Sequence, residues 1–340
     1  MNILVTGGAG YIGSHTSLCL LNKGYNVVII DNLSNSSCES IRRIELLAKK
    51  KVVFYELNIN NGKKVDQILK KHKVDCVMHF AGAKSVAESL IKPIFYYDNN
   101  VAGTLQLINC DIKNDVANFI FSSSATVYGE SEIMPVTEDC HIGGTLNPYG
   151  TSKYISELMI RDIAKKYSDT NFLCLRYFNP TGAHESGIIG ENPADIPSNL
   201  VPYILQVAMG KLEKLMVFGG DYPTKDGTGV RDYIHVMDLA EGHVAALSYL
   251  SSCNNTNYHV FNLGTGKGYS VLELVSTFEK ISGVGIPYEI VSRREGDIAE
   301  SWSSPEKANK YLNWSAKREL ETMLEDAWRW QLKNPNGYKS

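Results

Sequence analysis

Tyr149 and Lys153 stand four residues apart behind Pro148, at the start of a run with helical spacing, so both side chains leave one face. A tyrosine works as a base near neutral pH only where positive charge stabilises its phenolate; Lys153 and an oxidised nicotinamide are two sources of that charge. Upstream, Ser122-Ser123-Ser124 closes an apolar run and carries hydroxyls to the end of a strand. Nearer the start, Gly7-Gly8-Ala9-Gly10-Tyr11-Ile12-Gly13 satisfies G-x-G-x-x-G from Gly8 and the wider G-x-x-G-x-x-G from Gly7. Such glycines permit a tight turn and let backbone approach a pyrophosphate at a helix N-terminus. Asp31 ends the next apolar run, 18 residues past Gly13. A carboxylate there accepts from both ribose hydroxyls and repels a 2′-phosphate, and no arginine sits beside it, so the pattern predicts NAD rather than NADP.

These residues need a scaffold, and the first half of the chain supplies one. Short apolar runs at 3–6, 27–30, 52–57, 74–80, 118–122 and 172–177 alternate with helical patterns that include 11–22, 99–110 and 149–167. This is an α/β pattern: a Rossmann-type, doubly wound parallel sheet. Past Asn179–Pro180 the chain turns rich in Gly, Pro and Asn until about Thr228. Regular structure is expected again at 233–250 and 260–263, then in a helix over 271–281. The expected division is an NAD-binding domain over 1–180 and a smaller α/β substrate-binding domain over 181–340, with segments near 231–265 rejoining the first.

Composition excludes several function classes. With 340 residues, 44% hydrophobic and 21% charged, the chain has ordinary globular composition and enough length for a core without disulfide or metal staples. A formal net charge of -3 offers no footprint for nucleic acid, and the runs Lys49–Lys51 and Lys63–Lys64 read as solvated helix ends. The seven cysteines are scattered without a C-x-x-C spacing, as expected of reduced, mostly buried thiols. The eight histidines form no metal-ligand motif, and His79, inside an apolar run, reads as a satisfied strand residue. A strand and glycine turn occupy the first residues, which leaves no room for a signal peptide, and no apolar run reaches membrane-span length. The expectation is a cytoplasmic protein without metal.

Several motifs carry a family resemblance. Gly7–Gly13, Asp31-Asn32-Leu33, His79-Phe80-Ala81-Gly82, Ser122–Gly129 (SSSATVYG) and Tyr149-xxx-Lys153 together resemble the extended short-chain dehydrogenase/reductase superfamily. Within it, Tyr96–Asn100 (YYDNN), Leu175–Pro180 (LRYFNP), Gly229–Asp238 (GVRDYIHVMD) and Arg293–Asp297 (RREGD) resemble the UDP-glucose 4-epimerase family, and the likeness runs from residue 1 to about 338. The resemblance implies that Tyr149 takes the proton of a sugar 4-hydroxyl as hydride leaves C4 for NAD. Ser124 would bond the same oxygen, and Lys153 would hold the ribose and depress the tyrosine pKa. The 4-keto sugar would then turn over and recover the hydride on its other face.

It also implies contacts to NAD from Gly7, Gly10, Tyr11, Ile12, Gly13, Asp31, Asn32, Asn35, Ser36, Asn58 and Ile59. Phe80, Ala81, Gly82, Lys84, Asn99, Tyr177 and Phe178 complete that set with the three catalytic residues. The UDP-sugar would meet Lys84, Ser124, Tyr149, Asn179, Asn199, Leu200, Met216, Val217, Phe218, Arg231, Tyr233, Arg294, Asp297 and Ser301. Two arginines on a diphosphate make physical sense, because the guanidinium fork matches phosphate oxygens. A homodimer is implied by the resemblance alone.

Two positions depart from the family pattern. Asn58 stands where the family commonly has aspartate near adenine, which predicts weaker but preserved NAD binding. Ser301, four residues past Asp297, stands where members restricted to glucose and galactose resemble one another in a bulky tyrosine. Its small side chain predicts room for an acetamido group, hence UDP-GlcNAc and UDP-GalNAc as further substrates. The rivals are a UDP-sugar dehydratase or decarboxylase on the same scaffold, or a non-catalytic NAD sensor. Dehydratases resemble one another in Asp-Glu after the strand-end serine or threonine, where this chain has Ala125-Thr126.

Overall fold

Short Val/Ile/Leu-rich runs separated by glycine turns and helices favour parallel strands buried on both faces. The computed structural model follows that pattern, and describes residues 1–131, 133–193, 197, 199–252, 257–294 and 296–338. In chain order come β1 (Asn2–Thr6), α1 (Tyr11–Asn22), β2 (Asn26–Asp31), α2 (Cys38–Ala48), β3 (Val53–Glu56), α3 (Gly62–His72) and β4 (Cys76–His79). Two short helices, α4 (Val86–Ile91) and α5 (Pro93–Tyr96), lead through a π-helical turn (Tyr97–Ala102) into α6 (Gly103–Lys113). Next are β5 (Asn118–Ser124), a 3-10 turn (Ala125–Tyr128), α7 (Pro148–Ala164) and β6 (Asn171–Tyr177).

The remainder contributes β7 (Asn179–Thr181), α8 (Leu200–Ala208), β8 (Leu215–Phe218), β9 (Val230–His235), α9 (Val236–Leu250) and β10 (Tyr258–Leu263). It ends with β11 (Gly268–Ser270), α10 (Val271–Ser282), β12 (Tyr288–Val291), β13 (Glu300–Ser301), α11 (Glu306–Leu312) and α12 (Leu320–Lys333). One seven-stranded parallel sheet runs β10-β6-β5-β4-β1-β2-β3. The order reverses between β1 and β4, which opens the crevice where an α/β sheet binds its ligand. Strand alternation sends Ile3, Val5, Ile29 and Ile120 to one face, against Leu18 and Leu247. Leu4, Val28, Val77 and Phe119 face the other side, against Ile68, Leu107 and Ile160.

A second, smaller sheet places β9 between β11 and β13, with β7 also paired to β9, while β8 and β12 form a separate parallel pair. Around them lies a third core of Val201, Ile204, Val217, Leu274, Phe278 and Leu324.

The boundaries differ from the sequence expectation where tertiary pairing overrides local pattern. β5 continues past residue 122 because Ser122, Ser123 and Ser124 stay in register with Leu175, Arg176 and Tyr177. The expected helix over 99–110 begins as the π-helical turn. His79 is satisfied inside its strand: Nδ1 meets the Thr6 hydroxyl at 2.7 Å and Nε2 the Thr104 hydroxyl at 2.8 Å. Six cysteines are free thiols, and Cys253 lies outside the described residues. Among the described residues no helix is long and apolar enough to cross a membrane, and no cluster of His, Cys, Asp and Glu could hold a metal.

Candidate active site

The glycine loop closes tightly on its surroundings. Gly7 has φ 70°, and a Cβ there would lie 2.6 Å from the Ala81 nitrogen; one at Gly13 would collide with the Gly7 carbonyl. Gly10 caps α1 without any side-chain hydrogen bond, so the first-turn N–H groups are left to an anion. These features fit a dinucleotide pyrophosphate. Asp31 is nearly buried; its Oδ2 accepts from Ala9 N–H at 3.0 Å, and its Oδ1 from Leu33 N–H at 2.9 Å and Ser36 Oγ at 2.8 Å. A carboxylate has about four acceptor positions, so one remains for a ribose hydroxyl, where the sequence reading expected two, because the loop's own donors fill the others.

Other residues of the nucleotide set serve the loops that frame it. Asn32 Oδ1 accepts from Ser34 N–H and Oγ, and Asn35 is exposed in the same turn. Asn58 Oδ1 accepts from Asn60 N–H at 2.9 Å, while Ile59 is buried in the second core beside Gly103. Tyr11 donates to the Gly182 carbonyl at 2.6 Å, and Ile12 packs on the first core. Phe80 packs at a tilt against His243 with ring centres 4.7 Å apart, Tyr177 bonds the same imidazole, and Phe178 packs with Val127 and Tyr128. Asn99 Nδ2 donates to Asn100 Oδ1 at 3.0 Å.

The catalytic candidates meet where β5 ends against the first turns of α7. Thr126 donates twice to Ser124 Oγ, from its N–H at 3.2 Å and from its hydroxyl at 2.9 Å. With both acceptor positions engaged, the Ser124 hydrogen is free to bond the Tyr149 oxygen. Burial pushes the Tyr149 pKa above its usual value, against the downward pull of that bond and of the Lys84 ammonium. Here the structure differs from the sequence expectation, which gave that pull to Lys153. Lys153 Nζ instead donates to the Ser122 carbonyl at 2.7 Å and lies 4.8 Å from the Phe121 ring centre. Burial drops its pKa to about 8, with Glu157 acting in the opposite direction.

Lys84 reaches across to the second lobe. Its Nζ and Asn199 Nδ2 both donate to Glu191 Oε1, at 2.8 and 3.0 Å. Leu200 opens α8 behind Asn199, and Asn179 is exposed on β7. On β8, Val217 turns into the third core while Phe218 is exposed, with the Arg294 guanidinium 5.5 Å from its ring centre. Met216 shares the outward side by strand alternation. Tyr233 packs in the third core. Asp297 gathers the two arginines, with Arg294 at 3.0 Å and Arg231 at 3.7 Å. Ser301 pairs in register with Arg231, and a Cβ at Gly296 would lie 3.7 Å from that of Leu146, three residues before Tyr149. Glu295, inside the RREGD motif, lies outside the described residues. Among the described residues no hydrogen bond or ion pair links the Arg231–Arg294–Asp297 group to Tyr149.

Sequence reasoning did not place Asn100, Thr126 or Glu191 among the site residues. Asn100 is buried and bonds Ala83 N–H, the Ala83 carbonyl and Ser152 Oγ, which ties the β4–α4 loop to α7. Its signal was a second amide beside Asn99, in a turn whose π geometry spacing does not reveal.

Residues 4–327 match the family described as GDP-mannose 4,6 dehydratase. A UDP-glucose 4-epimerase of Yersinia enterocolitica is 56% identical over 338 residues, 99% of each chain. The crystal structure of UDP-glucose 4-epimerase from Bifidobacterium longum, in complex with NAD+ and UDP, is similar with TM-score 0.96 and 48% identity, covering 99% of this chain and 100% of that one. The UDP-Glc/GlcNAc 4-epimerase of Campylobacter jejuni is similar with TM-score 0.84 and 37% identity, covering 98% and 99%.

Proposed function

This chain belongs to the UDP-glucose 4-epimerase family, and from that premise we infer that it interconverts UDP-hexoses at carbon 4 with NAD as cofactor. The observation that carries the inference is the Ser124 hydroxyl, held by Thr126 and drawing the Tyr149 pKa down, at the edge of the parallel sheet that also carries the glycine loop. Tyr149 removes the proton from the sugar 4-hydroxyl and returns it to the same oxygen at the end of the cycle. Ser124 donates to that oxygen, and Lys153 and Lys84 add positive charge to the pocket. NAD, once bound, would supply the hydride acceptor and donor for C4, and its cationic ring would favour the phenolate further. NAD rests on the seven-stranded lobe, and residues 181–340 supply most UDP contacts, with Arg231 and Arg294 on the diphosphate.

Elimination on this scaffold would need an acid and a base past the serine. Ala125 carries only a methyl group, and the Thr126 hydroxyl is committed to Ser124. Purified protein should therefore convert UDP-galactose to UDP-glucose with no net NADH. Tyr149→Phe should lower kcat by ~10³-fold, within the usual range for a general base. Undiminished turnover in Tyr149→Phe would refute the base; a wild type inert on every UDP-hexose would refute the activity.

The small side chain of Ser301 favours N-acetylated UDP-hexoses as additional substrates, and failure to turn over UDP-GlcNAc would refute this. A second copy of the chain is the partner that suits the apolar surface of α4 and α5, and free thiols at six cysteines suit the cytoplasm.

A further inference from the structure

We propose that Ser123, Glu157 and Arg176 form a positioning relay that sets α7 against the end of β5, holding Tyr149 and Lys153 in register with Ser124 and the Ser122 carbonyl. Glu157 lies one turn past Lys153 and is 1% exposed; Arg176 on β6 is 3% exposed. The Glu157 carboxylate accepts from Ser123 Oγ at 2.5 Å, from Arg176 Nη2 at 2.7 Å and from Arg176 Nε at 3.0 Å. Ser123 and Arg176 are themselves register partners across β5 and β6. One carboxylate thus clamps two adjacent strands to the helix that bears the candidate base.

The clamp lies between the two contacts that matter for chemistry. Ser122, on one side of Ser123, offers the carbonyl that holds Lys153 Nζ. Ser124, on the other side, ends β5 with the hydroxyl that Thr126 holds and that draws the Tyr149 pKa down. The relay also reaches the turn that aims Ser124. Arg176 Nη1 donates to the Tyr128 hydroxyl at 2.9 Å, and that hydroxyl donates to Asn262 Oδ1 on β10 at 2.6 Å. Tyr128 closes the same 3-10 turn that carries Thr126.

Stability alone is a poor reason for this ion pair. The desolvation cost of two buried charges offsets most of their attraction, and an apolar pair of similar volume would pack as well. An apolar pair would not fix the sliding position of a helix on a strand end, whereas three directional hydrogen bonds do. The charge has a second effect. Around Glu157 stand Lys153 on its own helix, Cys174 and Arg176 on β6, and Tyr258 on β10; of these Lys153 is held above the level that burial alone would set.

The relay deepens the epimerase reading and rests on it, so its test has one arm that needs no turnover. Ser123→Ala and Glu157→Gln are assayed with UDP-galactose beside wild type and Tyr149→Phe. Each should lose ~10-fold in kcat with KM held within ~2-fold, as expected for misplaced reacting groups. In Ser123→Ala the acid limb of the kcat profile should move up, because Ser124 holds Tyr149 less well. In Glu157→Gln the alkaline limb should move down, because Lys153 loses its support. The second arm titrates the ultraviolet phenolate band of Tyr149, read as the difference from Tyr149→Phe in each background. Ser123→Ala should raise that titration by about half a unit. A folded Ser123→Ala with wild-type kcat, unmoved limbs and unmoved phenolate titration would overturn the relay, even if Glu157→Gln fails to fold. An inactive wild type with a shifted titration would sink the activity and leave the relay standing.

Discussion

On the proposed reading, the small side chain of Ser301 admits N-acetylated UDP-hexoses, and a bulkier one would exclude them. The residue sits across from Arg231, on a strand of only two residues, and a tyrosine there would bring an aromatic ring to the side of the group that gathers on Asp297. Ser301→Tyr should cost UDP-GlcNAc turnover ~100-fold, the scale of a clash that forces an added group out of its pocket, while UDP-galactose turnover stays within ~3-fold. Parallel loss on both substrates would place Ser301 outside the sugar pocket. Asp111 poses a different problem. It is fully buried on α6, and neither carboxyl oxygen has a hydrogen-bond partner among the described residues. Burial raises its pKa far above the carboxylate range, so the folded chain keeps a proton that the unfolded chain releases. The stability it contributes is full below ~pH 4 and is lost as pH rises. Asp111→Asn keeps the shape without the ionisation, so Tm at pH 8 should rise by ~2 °C or more and the gain should vanish near pH 4. An equal Tm at pH 8 would mean that Asp111 is charged and satisfied.

The short helices before α6 present a larger feature. Ile91 is 78% exposed and Ile94 83%, with Leu90, Phe95 and Leu105 also open on α4 to α6. Exposed apolar side chains on neighbouring helices suit an interaction site, and under the dimer reading proposed above a second copy of the chain covers them. Ile94→Glu should therefore give a monomer in sedimentation equilibrium under conditions where wild type is a dimer. A wild-type monomer, or a dimer unchanged by Ile94→Glu, would remove this face from the interface. The same scale explains what could be read early. The glycine loop, Asp31 and the Tyr149–Lys153 pair depend on local spacing, so period and turn chemistry expose them. α8 hides in a Gly/Pro/Asn-rich stretch, and α12 buries mainly Leu320, Met323, Leu324, Ala327 and Trp330 behind a charged face. The convergence of Lys84 and Asn199 on Glu191, or of Arg231 and Arg294 on Asp297, depends on loops meeting in space. Arg176 passes in the sequence as one letter of LRYFNP, and its partner Glu157 is set by how α7 packs on β6.

Across the whole molecule, three histidines are sealed into the larger lobe. His15 on α1, His79 on β4 and His243 on α9 are each 0 to 1% exposed. Burial lowers their pKa values to about 3, 3 and 4. In the unfolded chain each would titrate near ~6.5. The sign follows: above ~pH 6.5 neither state binds these protons and their contribution is full, while between ~6.5 and 4 only the unfolded state takes them up. Stability must therefore fall as the solution is acidified, by up to ~4 kcal/mol per pH unit if all three act, since each proton contributes ~1.4 kcal/mol per unit. The sites lie on three elements that meet one sheet, so the effect belongs to the lobe as a whole. Denaturant unfolding at pH 7, 6 and 5 should show a steepening loss, and calorimetry near pH 5 in buffers of different ionisation enthalpy should find net proton uptake on unfolding, the imidazoles' ~3 less the one that Asp111 releases. A flat stability between pH 7 and 5 would mean that these imidazoles reach water or a compensating carboxylate. His79→Asn, which replaces an imidazole already satisfied by Thr6 and Thr104, should reduce the uptake by about one proton.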